Sequence, residues 1–139
     1  MTQMIRLPYI ATENDPTGLL PRLPLTLNLE NRSIEVVALL DTGSAVNVLP
    51  YRLGLALGAE WNEQQISVPL VGSLGNAEAK AITINASHPL LTPSTAAALI
   101  FAWTRKEDAP LVLGQVNFFM EFDVCFFRSQ GAFEIAVKS

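Results

Sequence analysis

Residues 36–44 have the sequence Val36-Val37-Ala38-Leu39-Leu40-Asp41-Thr42-Gly43-Ser44. Five consecutive apolar residues predict a strand that enters a core. The four residues after them all favour turns, because short polar side chains bond to nearby backbone and glycine tolerates positive φ. The simplest interpretation is an Asp-capped turn between two strands. A second interpretation is that the turn presents the Asp41 carboxylate for chemistry.

The segments on both sides of this turn have the patterns of strands. Residues 23–29 alternate apolar with small or polar side chains, and residues 34–40 follow after a short polar turn, which predicts a hairpin. Residues 46–49 return to strand character. A short helix is predicted over residues 51–57, because Pro50 suits the start of a helix.

The rest of the chain predicts further short strands. The elements are a hairpin over residues 64–84 with a glycine-bearing tip, a short strand over 111–113, one or two helical turns over 115–120, and a last hairpin over 122–137. Residues 96–103 suit a buried strand or a short helix, and the bulky, short run of residues 99–103 favours the strand. Roughly seven to nine strands with one or two small helices predict a mostly-β, closed or sandwich-like domain.

The length of 139 residues fits one domain. Residues 11–18 are polar and rich in turn formers, so we expect an N-terminal arm over residues 1–21, partly flexible, and a folded domain over residues 22–139. Half of the residues are hydrophobic and the mean hydropathy is +0.31. Either a large β core or an apolar surface that a partner covers would explain this value.

Charge and hydropathy exclude several classes of protein. The net charge is −4, and the nine Lys and Arg residues are scattered, whereas a nucleic-acid binder shows a basic patch. The longest apolar run, residues 96–103, is far shorter than the roughly 20 residues that span a bilayer. Residues 1–8 lack the apolar stretch of a secretory signal. We therefore expect a cytoplasmic protein with neither nucleic-acid nor membrane partners.

Few residues offer an alternative chemistry. Cys125 is the only cysteine, which excludes an internal disulfide, and its apolar surroundings in the sequence predict a small buried thiol. His88 is the only histidine and is expected in a loop. One Cys and one His cannot form a zinc site, although a Cys–His nucleophilic pair stays open. Ser44 lacks the Gly-x-Ser-x-Gly elbow. Trp61 and Trp103 are expected in the core or an interface.

Three features occur in a fixed order along the chain: the Asp41 turn, a glycine-tipped hairpin, and Leu111-Val112-Leu113-Gly114, whose glycine lies 73 positions after Asp41. In this order they resemble the retropepsin-like aspartic proteases over about residues 22–137. The apolar strand before Asp41 and the helix predicted after Pro50 are more similar to cellular and bacterial members than to viral ones, and residues 112–124 resemble the closing segment of those members. The resemblance implies a closed, β-barrel-like retropepsin fold with one or two short helices.

The resemblance implies that Asp41 is a catalytic carboxylate. Amide hydrolysis needs an activated water and an acid, and two carboxyls about 3 Å apart supply both because they share one proton. The chain has one Asp-Thr-Gly, so the second Asp41 must come from another copy beside a two-fold axis. A homodimeric aspartic endopeptidase that acts on peptides or proteins, without metal or organic cofactor, is therefore expected.

The neighbouring residues acquire roles from the same resemblance. Thr42 and Gly43 belong to the catalytic turn: Thr42 would hydrogen-bond across the dimer axis, and Gly43 would permit the tight turn and leave room for substrate backbone. Ser44 would donate a hydrogen bond to the Asp41 carboxylate. Such a bond favours the charged form and predicts an acidic activity optimum.

The expected substrate-binding residues are Gly43, Ser44, Ala45, Gly72, Ser73, Leu74 and Gly75. The last four resemble the flap that closes on substrate, although an ordinary hairpin tip is the alternative, since the familiar aromatic or double-glycine tip is absent. Viral members have a carboxylate at the position of Ala45, so their specificity does not transfer. The alternative function is a retropepsin-fold module that dimerises or binds peptides with little activity.

Overall fold

A computed structural model describes residues 3–13, 15–70, 74–75, 77–93 and 96–138. Its strands and helices are β1 Ile5–Pro8, β2 Ile10–Thr12, β3 Asp15–Leu20, β4 Arg22–Leu29, β5 Arg32–Leu40, β6 Asn47–Pro50, α1 Tyr51–Ala56, β7 Ala79–Ser87, β8 Ala97–Thr104, β9 Val112–Leu113, α2 Phe118–Glu121, β10 Phe122–Phe127 and β11 Ala132–Val137. No helix in these ranges is long and apolar enough to cross a membrane.

Six strands close into a barrel in the order β4-β5-β9-β6-β8-β7. The prediction of a mostly-β, closed architecture is thereby confirmed. Strand β9 lies between β5 and β6, parallel to β5 at Leu40↔Leu113 and antiparallel to β6 at Val48↔Val112. The chain must therefore cross the end of β9 when it passes from β5 to β6. Residues 41–44, hereafter the Asp41 turn, begin this crossing.

Two tryptophans and a tyrosine form an aromatic centre in the core. The ring of Trp103 stacks on Tyr51 at 5.4 Å and meets Trp61 edge-on at 5.2 Å. The Trp103 indole N–H donates to the Tyr51 carbonyl, which satisfies its buried polar atom. Helix α1 approaches so closely that a Cβ on Gly54 would lie 2.2 Å from the Trp103 ring. The core interpretation of both tryptophans is confirmed.

The N-terminal residues pair with the end of the chain. Strand β1 pairs with β11 from Ile5↔Ile135 to Pro8↔Ala132, and β2 and β3 form a hairpin. Polar, turn-rich composition did not predict these three strands, because short segments gain their hydrogen bonds from partners that are distant in the sequence. The division of the chain at residue 21 into an arm and a protease domain stays a prediction.

The prediction of a buried Cys125 is wrong, because its side chain is exposed. Strand β10 lies at the edge of the sheet β1-β11-β10. Side chains alternate between the two faces of a strand. Phe122 and Val124 face the core, whereas Cys125 shares the opposite face with exposed Asp123. The apolar run therefore covers both faces, of which only one is buried.

The predicted hairpin over residues 64–84 is present in part. Its arms pair at an isolated bridge, Ser67↔Lys80, with Ala81 N–H donating to the Ile66 carbonyl at 2.8 Å. Residues 64–70 of the first arm form no strand beyond this bridge. The second arm is β7, which pairs mainly with β8. Gly72 and Ser73 of the predicted flap tip lie outside the described residues.

Candidate active site

Backbone hydrogen bonds hold Asp41 at the start of the turn. Its N–H donates to the Leu113 carbonyl at 3.0 Å, and its own carbonyl accepts the N–H of Ser44 at 3.1 Å. The carboxylate oxygen Oδ1 accepts the N–H of Gly43 at 2.9 Å. The Asp41 side chain is half-buried, and Thr42 and Gly43 are exposed. The predicted turn is therefore present, with its carboxylate held at an accessible edge of the barrel.

The segment after β9 holds the turn from the other side. Gln115 N–H donates to the Ser44 carbonyl and Val116 N–H donates to the Ala45 carbonyl, both at 2.9 Å. The Gln115 side chain donates through Nε2 to the Thr42 carbonyl at 2.8 Å. Hydrogen bonds thus join residues 42–45 to the segment that follows the Leu111-Val112-Leu113-Gly114 element.

Gly114 lies where these two segments approach too closely for a side chain. A Cβ there would lie 2.4 Å from the Val46 carbonyl oxygen and 2.6 Å from that of Ser44. Both atoms belong to the backbone and cannot move aside as a flexible side chain can. Glycine is therefore required at this position, which gives a physical reason for the Val112-Leu113-Gly114 element.

Ser44 does not make the predicted hydrogen bond to the Asp41 carboxylate. Its hydroxyl Oγ donates instead to the Val46 carbonyl at 2.7 Å. A hydroxyl has a single proton to donate, so this local contact leaves none for the carboxylate. The hydrogen bond from which an acidic activity optimum was predicted is therefore absent at Ser44.

Two asparagines behind the turn, Asn47 and Asn117, were not predicted from the sequence. Asn47 is fully buried, and its Oδ1 accepts the N–H of Gly114 at 2.8 Å. Its Nδ2 donates to the Ile100 carbonyl at 2.9 Å and to Asn117 Oδ1 at 3.0 Å. Asn117 Oδ1 also accepts the N–H of Ile100 at 3.0 Å. The available signal was a polar residue inside the apolar run of residues 46–49, since buried polar groups need partners.

The fold of this chain is also found in a solved structure. No protein-family model matches the sequence, and no curated protein matches it. Among solved structures, that of a retropepsin-like aspartic protease from Rickettsia conorii matches with a TM-score of 0.61 and 12% identity, over 100% of this chain and 97% of that chain. This chain has the retropepsin-like fold. The predicted fold is confirmed. At 12% identity, the similarity concerns the fold alone.

The retropepsin-like barrel places apolar side chains beside the Asp41 turn. A small cluster is separate from the main core and consists of buried Val48, Ala109 and Val112 with partly buried Leu39, Val46, Leu70 and Leu74. A cavity of about 120 Å³ is lined by Val46, Val68, Ile100, Phe101, Ala102, Val116 and Asn117. Leu74, from the predicted flap, packs on the cluster. The neighbourhood of the turn therefore suits apolar groups.

His88 lies in the predicted loop but has a structural role. It is buried, and its Nδ1 accepts the N–H groups of Leu90 and Leu91 at 3.2 and 3.3 Å. Burial lowers the pKa of His88, because it disfavours the charged ring. Within the described ranges, no cluster of three or more His, Cys, Asp or Glu side chains could hold a metal ion. The absence of a cofactor stays a prediction.

Proposed function

We propose that the chain is an aspartic endopeptidase whose active form is a homodimer. The supporting observation is an accessible Asp41 at the strand crossing of a retropepsin-like fold: its backbone N–H donates to the Leu113 carbonyl, and its carboxylate accepts the N–H of Gly43. Thr42 and Gly43 are exposed beside it, so a second copy can approach the turn. Thr42 and Gly43 would then meet their counterparts across the two-fold axis.

Two carboxyls are needed because one cannot perform both proton transfers. A lone carboxyl with an ordinary pKa of about 4 is a weak base and has lost its proton at neutral pH. Two Asp41 carboxyls roughly 3 Å apart would share one proton, because both cannot ionise. The charged one takes a proton from water while the other donates to the substrate carbonyl. Their apparent pKa values would belong to the pair.

Other aspartates in the described part of the chain are placed elsewhere. Asp15 is the first residue of β3, Asp108 pairs with Lys106 at 3.3 Å, and Asp123 projects outward from the edge strand β10. None of the three belongs to the Asp41 turn or to the segment that holds it. A second copy of Asp41 is the partner that this arrangement favours, and two-fold symmetry would bring it to the same site.

The apolar cluster beside the turn supports a substrate with apolar side chains next to the scissile bond. Val46 and Leu74, which are only partly buried, would contact these side chains, and the predicted flap of residues 72–75 would close over them. Ser44 and Ala45 would line the groove. Ala45 is exposed and carries no charge, so specificity would come from apolar contacts.

Proteolysis from about pH 3 to about pH 8 tests this proposal, with an unfolded protein or a peptide library as substrate. The parent chain should cleave and Asp41→Asn should not, while sedimentation should show a dimer for both. Equal cleavage by both proteins would exclude Asp41 as the catalyst. If neither cleaves, the peptide-binding or dimerisation module becomes the better explanation of the fold.

A further inference from the structure

A single peptide group connects Asp41 to a buried side chain. The carbonyl of Leu113 accepts the N–H of Asp41 at 3.0 Å. The N–H of the same peptide group, which belongs to Gly114, donates to Asn47 Oδ1 at 2.8 Å. We infer that Asn47 is a positioning residue, which sets the place of Asp41 by holding the Leu113–Gly114 peptide. The inference deepens the proposed function and rests on it for its kinetic consequence.

Both the amide nitrogen and the amide oxygen of the Asn47 side chain are hydrogen-bonded. The side chain has no exposed surface, and its Nδ2 donates to the Ile100 carbonyl and to Asn117 Oδ1. A buried amide is costly unless its donors and acceptor are satisfied, and here both donors and the acceptor are used. An apolar side chain of similar size would fill the space without holding the peptide of Gly114. The amide therefore joins β6 to β8 and to the segment after β9.

Asn117, which accepts a hydrogen bond from Asn47 Nδ2, has a strained backbone conformation. Its backbone has φ 78° and ψ −65°, a γ-turn geometry that residues with a Cβ rarely adopt. Such strain persists only where the surroundings enforce it, and it clusters at functional sites. The Asn117 side chain supplies the oxygen that both Asn47 Nδ2 and Ile100 N–H require. Glycine would fit this backbone without strain but would lack the oxygen.

Loss of the hydrogen bond from Gly114 N–H to Asn47 Oδ1 should affect catalysis more than substrate binding. The donation to Asn47 polarises the Leu113–Gly114 peptide and strengthens its carbonyl as the acceptor for Asp41. Without it, the peptide can rotate and the carboxylate can move. A misplacement of about 1 Å can lower a catalytic rate about a hundredfold.

The kinetic test compares Asn47→Ser with Asn85→Ser, the same change at an exposed position of β7. We expect kcat of Asn47→Ser to fall at least about tenfold, with KM within about twofold of the parent value. Asn85→Ser should match the parent. A change confined to KM, or an unchanged kcat in a folded Asn47→Ser dimer, would contradict a positioning role.

Amide hydrogen exchange tests the same inference independently of proteolysis. In Asn47→Ser, protection should be lost at both Gly114 and Asp41 but kept in β7 and β8, where the strands pair. Loss at Gly114 with full protection at Asp41 would overturn the inference. A parent chain that cleaves nothing would contradict the proposed function, whereas this exchange result would still decide whether Asn47 holds Asp41.

Asn117→Gly provides a second variant in case Asn47→Ser does not fold. Glycine relieves the strained backbone while it removes one partner of Asn47, so the thermal midpoint should change little. Exchange at Asp41 should nevertheless become faster, and kcat should fall in the same direction as for Asn47→Ser. Protection at Asp41 equal to that of the parent would count against the network as its support.

Discussion

At Gly114, the backbone after the Asp41 turn lies too close to the end of β9 to leave room for a side chain. The space for a Cβ is already taken by the backbone oxygens of Val46 and Ser44. Gly131 offers a contrast, because it has φ 61° and nothing within 4 Å of its Cβ position. One glycine is required for space and the other for conformation, so the same substitution should have different costs at the two positions.

Gly114→Ala is expected to lower the free energy of unfolding by about 3 kcal/mol, because overpacked backbone cannot relax cheaply. Gly131→Ala should cost about 1 kcal/mol, the usual penalty of a left-handed alanine. Urea unfolding followed by tryptophan fluorescence measures both. Equal losses at the two positions would show that the close approach at Gly114 is not what excludes a side chain.

Ser44→Ala tests the corrected role of Ser44. Since the hydroxyl donates to the Val46 carbonyl, its removal should cost about 1 kcal/mol of stability. The pH of maximal activity should stay where it is in the parent chain, because the carboxylate loses no hydrogen bond. An upward shift of the optimum in the pH–rate profile would restore the original prediction that Ser44 stabilises the charged Asp41.

At the scale of elements, the loop after β7 depends on a neutral histidine. His88 Nδ1 accepts two backbone N–H groups, which a protonated ring could not do. Glu35 of β5 lines the surface cavity that His88 also borders. The pKa of His88 lies below its ordinary value of 6.5 because of burial. The unfolded chain therefore takes up this proton more readily than the folded chain.

The free energy of unfolding should consequently fall as the pH drops below 6.5. Well above pH 6.5, the ring is neutral in both states and His88 should cause no such loss of stability. His88→Asn keeps an oxygen near the position of Nδ1 and cannot titrate. Urea unfolding at about pH 5 and pH 7 should show the fall in the parent chain and a smaller one in His88→Asn. The same pH dependence in both proteins would assign it to other groups.

Elements with local patterns were predictable, and those with distant partners were not. The hairpin of β4 and β5 follows from alternation and a short turn, and the Asp41 turn follows from its composition. Strands β1 to β3 escaped prediction, because β1 depends on β11 at the other end of the chain. Asn47 escaped for the same reason, since its partners lie 53 to 70 positions away.

At the scale of the whole molecule, the proposed site is complete only in a pair. Each chain offers one Asp41. Apolar Val116, whose N–H donates to the Ala45 carbonyl next to the turn, is 57% exposed, and Met120 of helix α2 is 63% exposed. Surface of this kind next to an incomplete site favours a second copy as its partner. The high mean hydropathy of the chain thus reflects both a filled barrel and exposed apolar side chains.

Subunit mixing tests the central claim that Asp41 works only opposite another Asp41. Parent chain and Asp41→Asn are unfolded together, refolded at constant total concentration and assayed for cleavage. If both carboxyls are required, activity should follow the square of the parent fraction, so an equal mixture should retain about one quarter of the parent activity. Activity proportional to the parent fraction, about one half in the same mixture, would contradict the shared site.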